Sequence, residues 1–223
     1  MPINSKVPAA AAGLILACGL SAAATLPAGA STTQCGSACV QISSKLYGPG
    51  FVESAFQGIA AAGQPTILHA ASNSDPTGDF INPLGHPVLV STFYAQGMVS
   101  AAVNAHYMNE PAVQVEYALD GQPTGLCAGV ATTAYQTEGL SLQPCSTPGT
   151  TVLIIDFADA PTAKPYFPIV NASTTDFTHP FTMTIDGNPA GKPFPQITLQ
   201  HMHDNPTDVP DNQLWQAPPG PAN

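Results

Sequence analysis

Between frequent glycines and prolines the chain carries short runs in which apolar and polar positions alternate: Val113, Val115 and Tyr117 in "AVQVEYAL", Leu140 and Leu142 in "GLSLQPC". "PVLVSTFY", "TVLIIDF", "PFTMTID" and "PQITLQH" are further runs of strand length. A period of two, broken by turn residues at short intervals, predicts strands, and many short strands predict an all-β sandwich or barrel. One segment has a helical alternative. In "AQGMVSAAVNAHYM", Met98, Ala101, Ala102 and Ala105 share a helical face, but the stretch also reads as two apolar runs around Gly97, and the strand reading is preferred.

The runs recur as a pattern. "GFVESAFQGIAAAGQPTILHAASNSDPTGDFI" and "GLCAGVATTAYQTEGLSLQPCSTPGTTVLIID" each read as glycine, apolar pair, turn, strand, polar loop and second strand. Aligning Leu68 with Leu142 sets His69 opposite Gln143, Phe80 opposite Ile154 and Glu53 opposite Cys127. "PQITLQHMHDNPTDVPDNQLWQ" continues the template, with Leu199 in the leucine position and Trp215 after a longer loop. Three diverged copies predict a single closed, trefoil-like β domain in which each copy's late aromatic or aliphatic residue plugs a shared core.

Gln213-Leu214-Trp215, "GLCAGVATTAYQTEGLSLQPC" and the threefold repetition together resemble the ricin-B-type, or QxW, β-trefoil lectin domain over about residues 35 to 216. The resemblance implies a disulfide between Cys127 and Cys145, within one repeat, and carbohydrate binding. Only the third copy keeps Gln-x-Trp, and there Trp215 is expected as a core plug with Gln213 satisfying loop backbone groups. The family's sugar sites use an aspartate in a Cys-Leu-Asp-Val segment. Gly129 stands at that position in the middle copy, so that site is expected to be dead.

In the first copy Glu53 is the candidate acceptor, with Asn73 and Asp75 in "SNSDPTGDF" as companions and Phe51 or Phe56 as an aromatic platform. The third copy offers Tyr166, Asn171 and Asp176 in "YFPIVNASTTDF". These loops also have the ordinary composition of solvated turns. Asn171-Ala172-Ser173 formally fits a glycosylation acceptor. His201 and His203 would face the same side of a strand, beside Asp204 and with Asp208 or Asp211 within reach, as a zinc or copper chelate requires; two surface histidines on an edge strand is the preferred account, and no metal or cofactor is assigned.

The N-terminus changes the domain count. Lys6, an apolar run from Val7 to about Leu26, and Ala28-Gly29-Ala30 before Ser31 have the form of a secretory signal with its cleavage site. Residues 1–30 are therefore expected to be removed, leaving one domain over 31–217 and a proline-rich tail over 218–223. A spanning helix wants about 20 strongly apolar residues, whereas this run is largely alanine and is interrupted by Pro8 and Gly13. Ile15-Leu16-Ala17-Cys18 loosely fits a lipidation box, so a lipid-anchored surface protein through Cys18 is the alternative destination. The cysteines outside the signal, Cys35, Cys39, Cys127 and Cys145, allow three pairings. The nearest in sequence, Cys35 with Cys39 and Cys127 with Cys145, is favoured, as suits an oxidising compartment.

Charge narrows the partners. The chain has 4 Lys and Arg residues together, all lysine, against 14 acids, so phosphate backbones find no cationic surface and nucleic acid is excluded. No Gly-x-Ser-x-Gly elbow or His-Glu-x-x-His motif occurs. The expected function is a secreted, noncatalytic binding module, with an extracellular glycan or cell-wall polysaccharide as the partner. The alternatives are a surface or structural protein without a small ligand and, with no motif behind it, a secreted hydrolase or inhibitor.

Overall fold

The computed structural model describes residues 39–72, 75–159, 165–188, 190–191, 194–202 and 209–217. Three four-strand copies follow one another. The first is β2 (Ser43–Ser44), β3 (Phe51–Ala55), β4 (Thr66–Ala70) and β5 (Phe80–Ile81), preceded by β1 (Cys39–Val40). The second is β8 (Glu116–Leu119), β9 (Gln122–Gly129), β10 (Ser141–Pro144) and β11 (Leu153–Ile155); the third is β12 (Ile169–Asn171), β13 (Phe181–Ile185), β14 (Ile197–His201) and β15 (Trp215–Gln216). The fourth strand of each copy pairs antiparallel with the first of the next: β5 with β8, β11 with β12, β15 with β2. That cycle closes a barrel. The middle strands form hairpins, β3–β4, β9–β10 and β13–β14, and single bridges Pro65↔Ser141, Gly139↔Thr198 and Ile67↔Gln196 join the hairpins pairwise. The fold is a β-trefoil.

The bridges fix the equivalence of the copies. They place Leu68, Leu142 and Leu199 at one position, and all three are fully buried in the barrel core. Across each hairpin those leucines face Glu53, Ala128 and Met183. Glu53 is thus equivalent to Ala128 and not to Cys127, because the connections within the hairpins differ in length. The fourth strands deliver Phe80, Leu153 and Trp215 to the same core. Ile154, the expected partner of Phe80, instead packs in a second cluster outside the barrel. Side chains alternate along a strand, so a one-residue slip in an alignment moves a residue to the other face.

The second cluster exists because of an insertion between the first two copies: β6 (Val88–Leu89), α1 (Val90–Ala95), α2 (Ala101–Tyr107) and β7 (Pro111–Val113). β7 pairs with β11, β6 pairs with β7, and the helices with their connection bury Val90, Phe93, Val99, Val103 and Tyr107 against Ile154 and Val170. The expected strands over this segment are therefore helices. Gly97, at φ +74°, turns the chain after α1, and the Ser100 hydroxyl caps α2 by accepting from Val103 N at 3.2 Å. The face that packs is Val99, Val103 and Tyr107; Ala101, Ala102 and Ala105 point to solvent. Helices of 6 and 7 residues are too short to persist alone and depend on this packing.

Cys127 and Cys145 form a disulfide, tying β9 to the end of β10. Cys39 is buried and disulfide-bonded; its expected partner Cys35 lies outside the described residues. Trp215 is fully buried and its Nε1 donates to Met183 O at 2.7 Å. Gln213 is buried beside it and donates through Nε2 to His201 O at 2.9 Å and to Thr184 Oγ1 at 3.2 Å.

Candidate functional site

Ser54, Gly129 and Thr184 occupy one equivalent position on the outer faces of the hairpins, opposite Ile67, Ser141 and Thr198. Their surroundings differ. At Gly129 a Cβ would lie 2.4 Å from Thr150 O, so the backbone of Thr150 and Thr151 covers this place in the second copy. In the third, Thr184 is fully buried and its hydroxyl donates to Thr182 O at 3.1 Å and accepts from Gln213. In the first copy Ser54 is 2% exposed beneath the turn at Gly78, donates to Val52 O at 3.3 Å, and forms the floor of a narrow groove with Ser72, Asp75 and Thr77 along it.

That groove runs into a cup of about 250 Å³ lined by Phe56, Gln57, His69, Asp75, Thr77 and Phe194. The site is positioned by three elements. His69 projects from β4 on the face opposite Leu68, as the strand's period of two requires. Asp75 starts a 3₁₀ turn, Pro76–Gly78, with its Oδ1 accepting from Thr77 N at 3.0 Å; its Oδ2 lies 3.5 Å from His69 Nδ1. Phe194 comes from the loop ahead of β14 and meets the His69 ring edge-on, centroids 4.5 Å apart. Gln57, at φ +57°, holds a left-handed conformation uncommon for a residue with a Cβ. The carboxylate and imidazole are only partly covered, at 30% and 27% exposure. A carboxylate, an imidazole and two aromatic rings around a small concavity can hydrogen-bond hydroxyls and cover an apolar ring face.

The residues singled out in the sequence are dispersed. Asp75 and Phe56 meet in the cup, while Asn73 lies outside the described residues. Glu53 is 1% exposed and faces the barrel, with both carboxylate oxygens buried and without a hydrogen-bond partner; it is withdrawn from any surface site. Burial pushes its carboxyl up to about 7; the nearby Thr66 hydroxyl tempers the shift without forming a hydrogen bond of normal geometry. Phe51 packs against the barrel core and meets Tyr47 edge-on, so it is no platform. Asn171 is fully buried, donating to Thr150 O at 2.9 Å and accepting from Ser173 N at 3.0 Å; neither a ligand nor a glycosylating enzyme reaches it in the folded chain. Tyr166 packs on Met202, Val209 and Leu214. Asp176 is at the surface, its carboxyl held below the usual carboxylate range by the His179 and Thr178 backbone N–H groups. His201 lies over Phe181 at 4.2 Å and its Nδ1 meets His179 O at 2.6 Å; His203 lies outside the described residues. Among the described residues no three His, Cys, Asp or Glu side chains converge as a metal site.

Of the six side chains named around the cup, the sequence pointed to Phe56 and Asp75 and not to Gln57, His69, Thr77 or Phe194. His69 appeared only as an alignment position, and Phe194 sits in a different copy, brought in because Leu68 N donates to Pro195 O at 3.1 Å. No local pattern signals such a junction.

No protein-family model and no curated protein matches the sequence. Among solved structures, a designed 3-fold symmetric protein, ThreeFoil, is similar over 80% of this chain and 96% of its own, at 8% identity and a TM-score of 0.52. A mosquitocidal holotoxin is similar over 82% of this chain and 17% of its own, at 11% identity and a TM-score of 0.53. At these identities the likeness is one of fold, and a threefold-symmetric design is the shape that three closed strand cycles produce.

Proposed function

We propose that the protein is a secreted, noncatalytic binding module that holds an extracellular glycan or cell-wall polysaccharide weakly in the first-copy cup around Asp75. One observation carries this reading: beside the first hairpin, a cup of about 250 Å³ brings the part-exposed Asp75 and His69 together with the rings of Phe56 and Phe194. The resemblance to QxW lectins adds to it, with Ser54 in place of the family's aspartate. A shallow cup with one carboxylate suits millimolar affinity, about 4 kcal/mol. Without a cationic surface, binding should not depend steeply on salt. Isothermal titration against galactose-rich, mannan and peptidoglycan fragments tests it, with Asp75→Ala and Phe194→Ala as controls. Silence at millimolar concentration, or unaltered heats in both variants, would reject the cup as a glycan site.

Secretion belongs to the same proposal: residues 1–30 act as a removed signal, 31–217 as the module and 218–223 as a tail. The Cys127–Cys145 disulfide supports an oxidising compartment, and among the described residues no helix is long and apolar enough to cross a membrane. N-terminal sequencing of the exported protein should begin at Ser31. A surface protein without a small ligand is the second reading, favoured by Asp75 already accepting from Thr77 N; the same titration decides between the two.

A further inference from the structure

A second concavity, larger and chemically opposite to the cup, lies in the barrel. Counting from the strand pairings, Asn82 stands opposite Val115, Ala217 opposite Ile42 and Ile155 opposite Ile169, at one equivalent level of the three junctions between copies. All six line a single cavity of about 520 Å³. It therefore sits on the approximate threefold axis, one level from the plugs Phe80, Leu153 and Trp215, of which Leu153 also lines it. The ring is incompletely filled because the third junction contributes Ala217 where the second contributes Ile155.

The rest of the wall comes from what this chain adds to the three copies. Val40 belongs to β1, while His86, Pro87 and Val113 belong to the insertion. His86 and Pro87 are exposed, so the cavity opens to solvent on the insertion side. The volume lies within the roughly 300–1,000 Å³ of small-ligand pockets, which are mostly apolar with a few polar groups. Left empty, an apolar void deprives its lining of dispersion contacts, and water gains little there.

From this cavity we propose a second binding site, for an uncharged, largely aliphatic molecule with one hydrogen-bonding end, of the long-chain alcohol or monoacylglycerol class. Shape and apolar lining set the aliphatic part. The polar end follows from Asn82 and Gln114, both in the wall. Asn82 Oδ1 accepts from Leu84 N at 3.0 Å, and Gln114 Nε2 donates to Cys145 O at 2.6 Å and Thr151 Oγ1 at 2.9 Å. The Asn82 amide nitrogen and the Gln114 carbonyl are the hydrogen-bonding ends left for a hydroxyl. The wall holds no lysine or arginine, with His86 at the mouth its one basic side chain, and the chain carries a net charge of −10, so a fatty-acid carboxylate would meet no permanent counter-charge and a repulsive field.

The site is independent of the glycan reading, and one experiment separates them. Titrating the full secreted chain with the neutral fluorophore N-phenyl-1-naphthylamine should give saturable, one-to-one enhancement. 1-Dodecanol should displace the fluorophore at least tenfold more effectively than dodecanoate at pH 8. Asp75→Ala should leave both unchanged. Ala217→Phe and Val113→Phe, which fill the cavity from two different elements of its wall, should each weaken binding at least tenfold with an unaltered far-ultraviolet spectrum; Val40→Phe replaces either one that does not fold. Absence of saturable enhancement, unchanged affinity in the filled variants, or equal displacement by dodecanoate overturns the proposal.

Discussion

Replacing Glu53 with methionine should stabilise the protein, and by more at pH 8 than at pH 5. The third copy carries Met183 at this position and the second Ala128, so an apolar side chain there is compatible with the barrel, and glutamate and methionine are close enough in size to avoid overpacking. In the folded chain burial lifts the Glu53 carboxyl from 4.5 to about 7. The folded state thus holds its proton more tightly than the unfolded state. Below about pH 4.5 both are protonated and Glu53 imposes no pH-linked penalty. Between 4.5 and 7 the unfolded chain releases the proton that the folded chain retains, and stability falls as pH rises. Above 7 both are ionised and the loss levels off at roughly 3 kcal/mol, from about 1.4 kcal/mol per pKa unit.

Burial lifts the Asp156 carboxyl to about 7 as well, so the wild-type curve alone cannot isolate Glu53. The difference between wild type and variant does, since Asp156 is common to both. Urea unfolding followed by the fluorescence of Trp215, at pH 5, 6, 7 and 8, should show the advantage of Glu53→Met growing by roughly 2 kcal/mol across the series. Glu53→Gln, which keeps the shape and removes the titration, should reproduce the pH dependence with a smaller absolute gain because its amide stays unsatisfied. A difference between wild type and both variants that does not change with pH would refute the assignment of a buried, protonated carboxyl.

Three other outcomes are expected. Replacing Cys127 and Cys145 with alanine should lower stability by about 3 kcal/mol through the lost loop constraint, read as a lower urea midpoint, and nonreducing peptide mapping of the wild type should recover the link. Trp215→Ala should cost roughly 3 to 5 kcal/mol by cavity formation, and wild-type emission should be blue-shifted and move to the red on unfolding. Gly129→Asp, which places the lectin family's acceptor residue in the second copy, should destabilise by about 2 kcal/mol or more and create no glycan site, because the added Cβ meets Thr150 O at 2.4 Å; a variant that folds as well as wild type and gains binding heat would contradict the covered second face.

The threefold pattern was legible because burial enforces it: Leu68, Leu142 and Leu199 must all reach the axis, and leucine is hard to replace there. The insertion was not. Its buried stripe, Val99, Val103 and Tyr107, is interleaved with alanines that suit either face, and what decides for helix is Ser100 as a cap and the packing surface offered by Ile154 and Val170. Strand phase failed where connections differ in length. One residue separates Leu153 from Ile154, and that residue decides between the barrel core and the helix-covered face. The same ambiguity misplaced Glu53: a charged residue in a short strand reads as solvent-facing, and only the pairing with Leu68 turns it inward.

Glu53 and Ser54 show how the copies came to differ in use. They are neighbours on one strand with opposite orientations, Glu53 toward the barrel and Ser54 toward the groove. In the second copy the corresponding pair is Ala128 and Gly129, and the missing Gly129 side chain lets the Thr150 backbone close over the face. In the third it is Met183 and Thr184, and here a hydroxyl remains but is committed to Gln213, which also braces the strand end beside Trp215. Two faces are thus spent on holding the barrel together, by backbone packing in one case and by a side-chain amide in the other. The first copy is closed in its own way, with Ser54 2% exposed beneath the turn at Gly78 and its hydroxyl donating to Val52 O at 3.3 Å. What sets the first copy apart lies beside that position, where Asp75 at the start of the turn meets His69, and Phe194 reaches over from the third copy, so that polar and aromatic groups gather at the edge of the hairpin and not on its covered face.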